Sequence, residues 1–400
     1  MVYKTDFNGI PLSALGFGTM RMPLLPGGKG KDIDQDQVNE MVDYAIANGV
    51  KYFDTAAPYH ESCSEIAIGK ALSGYPRESF CLADKYPGHQ LASSYDPAGT
   101  FEEQLQKCGV EYFDFYLMHN VNENSLPTYL NEKWGILDYF IEQKKQGRIR
   151  HLGFSCHGDI PCMEKYLDRY GEYMEFCQIQ LNYLDWTLQD AKAKYEFLTS
   201  RGIDVWVMEP VRGGKLAVLP DEAEEKLKAL HPDESIASWA FRFLQGLPNV
   251  KMILSGMSNL EQMKDNVKTF AERKPLTEEE TAVVLEIAEQ IKAAVPCTAC
   301  RYCTKTCPMQ LEIPQIIRLY NDAKFYPSLN IGMRLEALGE SGKPQNCIGC
   351  GNCVKMCPQN INVPELMPKI AEVFQTLPSW AELCRQREAA AAAARAAKNG

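Results

Sequence analysis

Two cysteine runs near the C-terminus constrain this chain more than any other feature. The first is Cys297-Thr298-Ala299-Cys300-Arg301-Tyr302-Cys303-Thr304-Lys305-Thr306-Cys307-Pro308. The second is Cys347-Ile348-Gly349-Cys350-Gly351-Asn352-Cys353-Val354-Lys355-Met356-Cys357-Pro358. Both follow the spacing Cys-x2-Cys-x2-Cys-x3-Cys-Pro. Three close thiolates can grip one face of a 4Fe–4S cubane, and the proline turns the chain so that the fourth points to a second cluster. The predicted ligation is therefore crossed: Cys297, Cys300, Cys303 and Cys357 on one cluster, Cys347, Cys350, Cys353 and Cys307 on the other. The stretch Asn346–Gly351 adds backbone N–H groups, with small side chains at two glycines, that can hydrogen-bond cluster sulfurs and tune potential. Zinc is the competing reading, but zinc sites use ligand pairs and have no Cys-Pro terminus. Two one-electron carriers also exceed what a purely structural staple needs.

The remaining seven of the fifteen cysteines are scattered (Cys63, Cys81, Cys108, Cys156, Cys162, Cys177, Cys384) and read as small apolar side chains. So many cysteines in a reducing compartment point to metal rather than disulfides. The opening MVYKTDFNG has no apolar run like a signal peptide, and no stretch approaches the roughly 20 apolar residues of a membrane span. The expectation is a cytoplasmic chain with no membrane partner. A net charge of -10 argues against nucleic acid.

Four hundred residues exceed one ordinary core, so two domains are expected. Apolar runs read as strands at Leu15–Met20, Tyr52–Ala56, Phe80–Tyr86, Asp114–Asn120, Ile149–Cys156, Phe176–Tyr183, Asp204–Val211 and Met252–Met257. Several are nearly continuous in apolar residues, as strands buried on both faces of a parallel sheet are. Helical patterns lie between them, such as Gln37–Asn48, Glu132–Gln146, Leu188–Ser200 and Ser235–Gln245, with Gly49, Gly147 and Gly202 as C-terminal stops. Eight such alternations predict an α/β fold, a (β/α)8 TIM barrel over residues 1–275. An open doubly wound sheet is the runner-up, but Leu15–Met20 matches its glycine fingerprint poorly. Tyr3–Leu12, turning at Asn8-Gly9, reads as a hairpin placed to plug the barrel floor. Thr277-Glu278-Glu279-Glu280 is a capping box opening a connecting helix within 276–296. If it runs to Ala294, at ~1.5 Å per residue it spans the barrel's height and returns the chain toward the catalytic end. A small, mainly α-helical ferredoxin-like domain follows at 297–372, with a helix at Ile313–Asp322. A helical or flexible tail over 373–400 closes the chain, its Ala-rich part being Arg385–Asn399.

Four proton-active residues fall at or just past the C-terminal ends of consecutive strands, where barrel enzymes keep their active sites: Asp54, Tyr59, Lys85 and His119. The set suits carbonyl reduction. Hydride delivery leaves an alkoxide that needs a proton, and Tyr59 can donate it if its pKa is lowered from ~10. Lys85 would favour the phenolate, Asp54 would hold Lys85 charged, and His119 would orient the substrate oxygen or relay a proton.

The barrel half resembles the aldo/keto reductase family. The resembling segments are Gly16–Thr19, Asp54–Tyr59 with Glu65 and Gly69, Lys85, Asp114–His119, Gly153–Ser155, Gln180–Tyr183, and Ser255–Asn259 with Asn266. The whole chain resembles the iron–sulfur branch of that family, with its C-terminal dicluster domain. The resemblance implies a catalytic Asp54–Tyr59–Lys85–His119 tetrad and a nicotinamide cofactor bound without a Rossmann domain. It implies that Ser155 and Gln180 hold the carboxamide, that Arg212 within Glu209–Gly214 approaches the pyrophosphate, and that Ser258 and Asn266 contact the adenosine end. This sequence departs from the family at Cys156, at Met208 where a stacking aromatic is usual, and at Gly256 and Gln262 where basic residues grip a 2′-phosphate. These changes put NADH at least level with NADPH and leave a flavin open. His157 has no counterpart in the family pattern.

The leading expectation is an oxidoreductase. It would reduce a small carbonyl-type substrate with NAD(P)H or a ferredoxin or flavoprotein electron carrier, passing electrons through two 4Fe–4S clusters. The alternative is an electron-transfer or interaction protein whose clusters serve a partner enzyme. Hydride moves two electrons where a cluster moves one. The substrate is not legible, because it is read by loops such as Asn120–Leu130.

Overall fold

The structure is a computed structural model that describes residues 1–90, 94–123, 125–188, 190–291, 295–325, 329–336, 338–377, 379 and 382. The described chain begins with the hairpin β1 (Lys4–Phe7) and β2 (Ile10–Ser13). Asn8 and Gly9 both have positive φ, 51° and 80°, as a two-residue hairpin turn requires. Eight parallel strands then close on themselves: β3 (Leu15–Gly18), β4 (Tyr52–Asp54), β5 (Cys81–Tyr86), β6 (Phe113–Val121), β7 (Ile149–Cys156), β8 (Phe176–Gln180), β9 (Asp204–Met208) and β10 (Val250–Ser255). Each pairs with its sequence neighbour, and β10 pairs with β3. This is the (β/α)8 barrel that the alternation predicted.

Side chains alternate along each strand, so every second residue points inward. The inward set is large and aromatic: Tyr52, Phe115, Leu117, Phe176, Trp206, Met252 and Leu254, with Ala83 making room. Phe7 joins this cluster with no exposed surface. Its ring centroid lies 4.9 Å from Trp206, 5.1 Å from His151 and 5.7 Å from Phe115. The hairpin thus plugs the barrel, and Thr5 Oγ1 donates to the Lys251 carbonyl at 2.6 Å to hold it there.

Gly49, Gly147 and Gly202 take φ values of 87°, 77° and 70° just past their helices, as expected of left-handed helix stops. Two helices differ from the sequence pattern. Glu132–Gln146 breaks into a 3-10 turn, Glu132–Trp134, and a helix, Ile136–Lys145, because Gly135 is left-handed. The Leu188–Ser200 pattern begins its long helix only at Ala191. The short helix Asp185–Leu188 before it is nucleated by Asn182, whose Oδ1 accepts from the amides of Leu184 and Asp185. The capping box forms as the sequence suggests: Thr277 Oγ1 accepts from the Glu280 amide, and Glu280 Oε2 accepts from the Thr277 amide. Its helix is Glu278–Ile291, and the continuation to Ala294 lies outside the described residues.

The chain separates into two compact units, Met1–Leu219 with Lys226–Leu285, and Pro220–Glu225 with the residues from Glu286 onward. The second unit is a repeat. Each cysteine run holds a short helix, Tyr302–Lys305 or Asn352–Lys355, and leads to a longer one, Ile313–Phe325 or Val363–Gln375. Left-handed backbone recurs at matching places: Ala299, Arg301 and Gln310 in one half, Gly349, Gly351 and Asn360 in the other. Ile313, Ile316, Ile317, Val363, Met367 and Ile370 form the core between the halves. Asn321 ties the first run in place, accepting from the Val295 amide and donating to its carbonyl, both at 2.7 Å. Cys384 and the Ala-rich segment lie outside the described residues. No described helix is long and apolar enough to cross a membrane.

Phe7→Ala removes a buried ring with no small side chain able to refill its place. It is expected to cost the barrel roughly 3–5 kcal/mol, read by denaturant unfolding followed through near-UV circular dichroism. A loss below about 1 kcal/mol would show that the plug packs loosely.

Candidate active site and cluster cavities

Strand register decides what meets at the C-terminal end of the barrel. Asp54 ends β4 opposite Ala83 of β5, so Lys85, two residues on, rises above it on the same inward face. Lys85 pairs with Leu117 of β6, and His119 rises above that in turn. Lys85 has no exposed surface. Its Nζ donates to Asp54 Oδ1 at 2.5 Å and to the Thr55 carbonyl at 2.6 Å, and lies 5.1 Å from the Tyr59 ring centre. Tyr59 meets the His119 ring edge-on, with centroids 5.9 Å apart. All four residues of the expected tetrad are brought together.

Tyr59 is placed by a strained turn. His60, Glu61 and Ser62 all have left-handed backbone, φ 50°, 55° and 69°. His60 locks it: Nε2 accepts from the Met22 amide at 3.1 Å, which leaves Nδ1 to donate to the Gly30 carbonyl at 2.9 Å. Burial raises the Tyr59 phenol well above its usual value, and the negative charges of Asp54, Glu209 and Asp84 add to this. This differs from the expected lowering by Lys85, because burial and the three carboxylates outweigh the ammonium. Tyr59 is thus a protonated phenol at neutral pH. Burial lowers His119 well below its usual value, helped by the positive charges of His89, Lys85 and His157. A neutral imidazole keeps one N–H to donate and does not compete for the proton.

Ser155 (1% exposed) and Gln180 (7%) end β7 and β8 inside the barrel. Ser155 Oγ accepts from the Asn120 amide, and Gln180 Nε2 donates to Asp185. Arg212 is 1% exposed, and its Nε is gripped by both oxygens of Asp185 at 3.0 and 3.1 Å. Its Nη2 is buried with no partner. Next to this strand end stands Glu209, left-handed at φ 56° and carrying one buried oxygen without a partner. An orphaned cationic donor and an orphaned acceptor together suit a phosphate and a sugar hydroxyl, so these residues fit a nucleotide. Arg21 reaches Glu209 at 3.6 Å, and its side chain covers Gly256, about 3.4 Å from where a side chain there would begin. Arg21 thus fills the space beside Gly256. Ser258 is exposed, and its amide donates to Gln262. Asn266 is buried and donates to Ser255, which makes it a brace between β10 and the following helix. Glu209, Asp185, Arg21 and His89 were missed in the sequence. Only Glu209, an acid at a strand end, left a readable signal there.

The cysteines line two small pockets. One is walled by Cys297, Cys300, Cys303 and Cys357, the other by Cys307, Cys347, Cys350 and Cys353. Ile313 and Val363 line both. Among the described residues no three Cys, His, Asp or Glu converge as a single metal ion would require. The thiols surround a volume instead of a point. Burial pushes Cys300 up to about 11 and Cys303 up to about 12, and neighbouring thiolates add to it. Four thiolates there need a cationic core to be stable, which a 4Fe–4S cluster provides. The left-handed residues beside each run turn backbone N–H groups into a nest of the kind that holds iron–sulfur sites.

The model of the aldo/keto reductase family matches residues 14–289, and that of a 4Fe–4S dicluster domain matches residues 296–362. A probable aldo-keto reductase 1 of Glycine max is 30% identical over 38% of this chain, which spans less than half (44%) of that relative. An NADH-specific methylglyoxal reductase of Escherichia coli K12 is 26% identical, over 71% of this chain and 97% of its own. Aldo-keto reductase AKR11C1 from Bacillus halodurans, in its holo form, superposes with a TM-score of 0.58 at 24% identity, covering 72% of this chain and 96% of that one. At that identity the likeness is one of fold.

Two outcomes follow from this geometry. Cys357→Ser is expected to empty the cavity of Cys297, Cys300 and Cys303 and to halve the iron from about eight to about four per chain. Retention of full iron would show that Cys357 is not a cluster ligand. His89 and His157 are each brought down to about 4 by burial, whereas an unfolded imidazole titrates near ~6.5. Below about pH 6.5 the unfolded chain binds protons that the folded barrel refuses, so stability falls down to about pH 4. Replacing both by Gln should flatten that acid limb in urea titrations, and an unchanged slope would contradict it.

Proposed function

The chain belongs to the aldo/keto reductase family and is an oxidoreductase; from that premise we propose that its barrel reduces a small carbonyl compound to an alcohol, in electronic exchange with two 4Fe–4S clusters in the C-terminal unit. The observation that carries this reading is the convergence of Tyr59, His119 and the buried Lys85–Asp54 pair on one point at the C-terminal strand ends.

A bound nicotinamide would supply the hydride, and bound clusters would supply or accept single electrons. The chain's own residues do the rest. The Tyr59 hydroxyl and the neutral His119 ring both face the carbonyl oxygen. As negative charge develops on that oxygen, the Tyr59 proton moves to it, giving the alcohol and a phenolate. The Lys85 ammonium, 5.1 Å from the ring centre, stabilises the phenolate until solvent restores the proton. Asp54 keeps Lys85 charged and aimed. Ser155 and Gln180 suit a carboxamide, Arg212 and Arg21 a diphosphate, and Glu209 a ribose hydroxyl. The name of the Escherichia coli relative supports NADH as the first cofactor to try. Reduced ferredoxin or a flavoprotein is the outside carrier in this reading.

Anaerobic protein should show its cluster absorbance bleach on addition of NADH, NADPH or reduced ferredoxin. Tyr59→Phe should lower kcat for carbonyl reduction by about 10²–10⁴-fold. Unchanged reduction by Tyr59→Phe would defeat the proton donor. No nicotinamide binding and no bleaching would favour a protein that serves a partner's electron transfer.

A further inference from the structure

The two cysteine runs share one spacing, so each position in the first has a twin fifty residues on, as Cys297 has Cys347 and Cys307 has Cys357. The twins are not treated alike. The residue after the first cysteine is Thr298 in one run and Ile348 in the other, and the residue after Cys-Pro is Met309 in one and Gln359 in the other. Crossing sorts them by pocket. Thr298 and Gln359 line the pocket of Cys297, Cys300, Cys303 and Cys357, whereas Ile348 and Met309 line that of Cys307, Cys347, Cys350 and Cys353. Exposure runs against polarity. Thr298 is 5% exposed and Gln359 half-buried, but Ile348 is 63% exposed and Met309 41%. Of the eight cysteines in the runs, Cys350 alone is exposed, and it belongs to the same pocket as Ile348 and Met309.

Contact with water does not explain a buried threonine and a displayed isoleucine at twinned positions. Single exposed apolar residues are ordinary. Here two of them line one pocket, beside the most exposed cysteine, and among the described residues no large apolar side chain lining the twin pocket is exposed. Such a patch is the mark of a face that a second surface covers. Its charge says which kind. Residues 297–311 carry Arg301 and Lys305, residues 341–364 carry Lys343 and Lys355, and neither stretch has an Asp or Glu, in a chain of net charge -10. Arg301 is engaged by Glu312 at 3.1 Å, and Lys343 by Glu340. Lys305 and Lys355 are exposed, each two residues from a cysteine of this pocket, Cys307 and Cys353. An apolar centre with a cationic rim suits a partner with an acidic face.

We infer that the cluster held by Cys307, Cys347, Cys350 and Cys353 is the port for outside electrons, and that a small acidic one-electron carrier protein docks over Ile348 and Met309. The inference rests on the two-cluster reading and names its partner's face. The carrier is oxidised by one electron as the port cluster is reduced by one, and the reverse flow uses the same face. No bond forms or breaks. The two pockets share Ile313 and Val363, so the covered cluster exchanges electrons with the port cluster and not with the carrier.

The test uses the anaerobic, cluster-loaded full chain, with flavodoxin, an acidic flavin protein, as the probe. Its hydroquinone should bleach the cluster absorbance in a phase that saturates with flavodoxin and slows as salt rises. Ile348→Thr with Met309→Gln gives this pocket the residues its twin already holds, so iron should stay at about eight per chain, and dithionite should still reduce both clusters. The pair should weaken the apparent Kd for flavodoxin by about tenfold. Lys305→Gln with Lys355→Gln, at exposed positions outside the pocket lining, should flatten the salt dependence. Unchanged flavodoxin affinity in the Ile348 and Met309 variant, at full iron, overturns the face and leaves the two-cluster reading standing. A reaction indifferent to salt and to both lysines overturns the acidic carrier. A wild-type dimer in sedimentation that the apolar substitutions make monomeric shows that a second copy covers the face, and overturns the carrier too. Wild-type protein with about four irons or fewer overturns the two-cluster reading, and the port with it.

Discussion

A lysine with no exposed surface must keep a partner, and much of the barrel mouth follows from that. An ammonium in the interior costs several kcal/mol unless it is paired and fully hydrogen-bonded. Lys85 meets this with Asp54 and the Thr55 carbonyl, one donor set reaching across β4 and β5. The pair can form only if β4 and β5 hold their register, with Asp54 opposite Ala83. A slip of one residue would turn Lys85 out of the barrel and strand Asp54. The same register brings His119 up from β6 and leaves Tyr59, on its strained turn, over the ammonium. The geometry of the barrel mouth and the closure of the sheet are thus one constraint.

Electrostatics then divides the mouth into two sides. Around Tyr59 the nearby charges beyond Lys85 are acidic, namely Asp54, Glu209 and Asp84, and they keep the phenol protonated. Around His119 they are basic, and with burial they keep the imidazole neutral. A protonated phenol thus stands beside a neutral imidazole, their ring centroids 5.9 Å apart. Burial sets both directions, and the neighbours reinforce it.

The C-terminal unit solves a different problem by repetition. Each half offers three cysteines to its own cavity and one to the other's, so neither cavity is complete without both halves. Ile313 and Val363, at matching places, line both cavities. The left-handed positions are glycines in the second half but Ala299 and Arg301 in the first. Recurrence of a strained backbone at non-glycine residues indicates that the local packing dictates it.

Spacing and periodicity were sufficient to read the barrel, the plug hairpin and the capping box, and to single out the mouth residues and cysteine sets that the fold brings together. These are local or periodic properties: the chain carries them in any single element, because alternation of side chains and turn chemistry need no distant partner. What only the folded chain decided is pairing across elements. Sequence reading expected Lys85 to lower the Tyr59 phenol, and burial with three nearby carboxylates raises it instead. It left His157 unassigned, and burial in the folded chain lowers that imidazole to about 4. It saw an empty place at Gly256, which Arg21, some 235 residues earlier in the chain, comes to cover. Such encounters depend on the closure of eight strands into a ring, and on which charges that closure buries together. No window of residues holds that information, since charge and burial act through space and not along the chain.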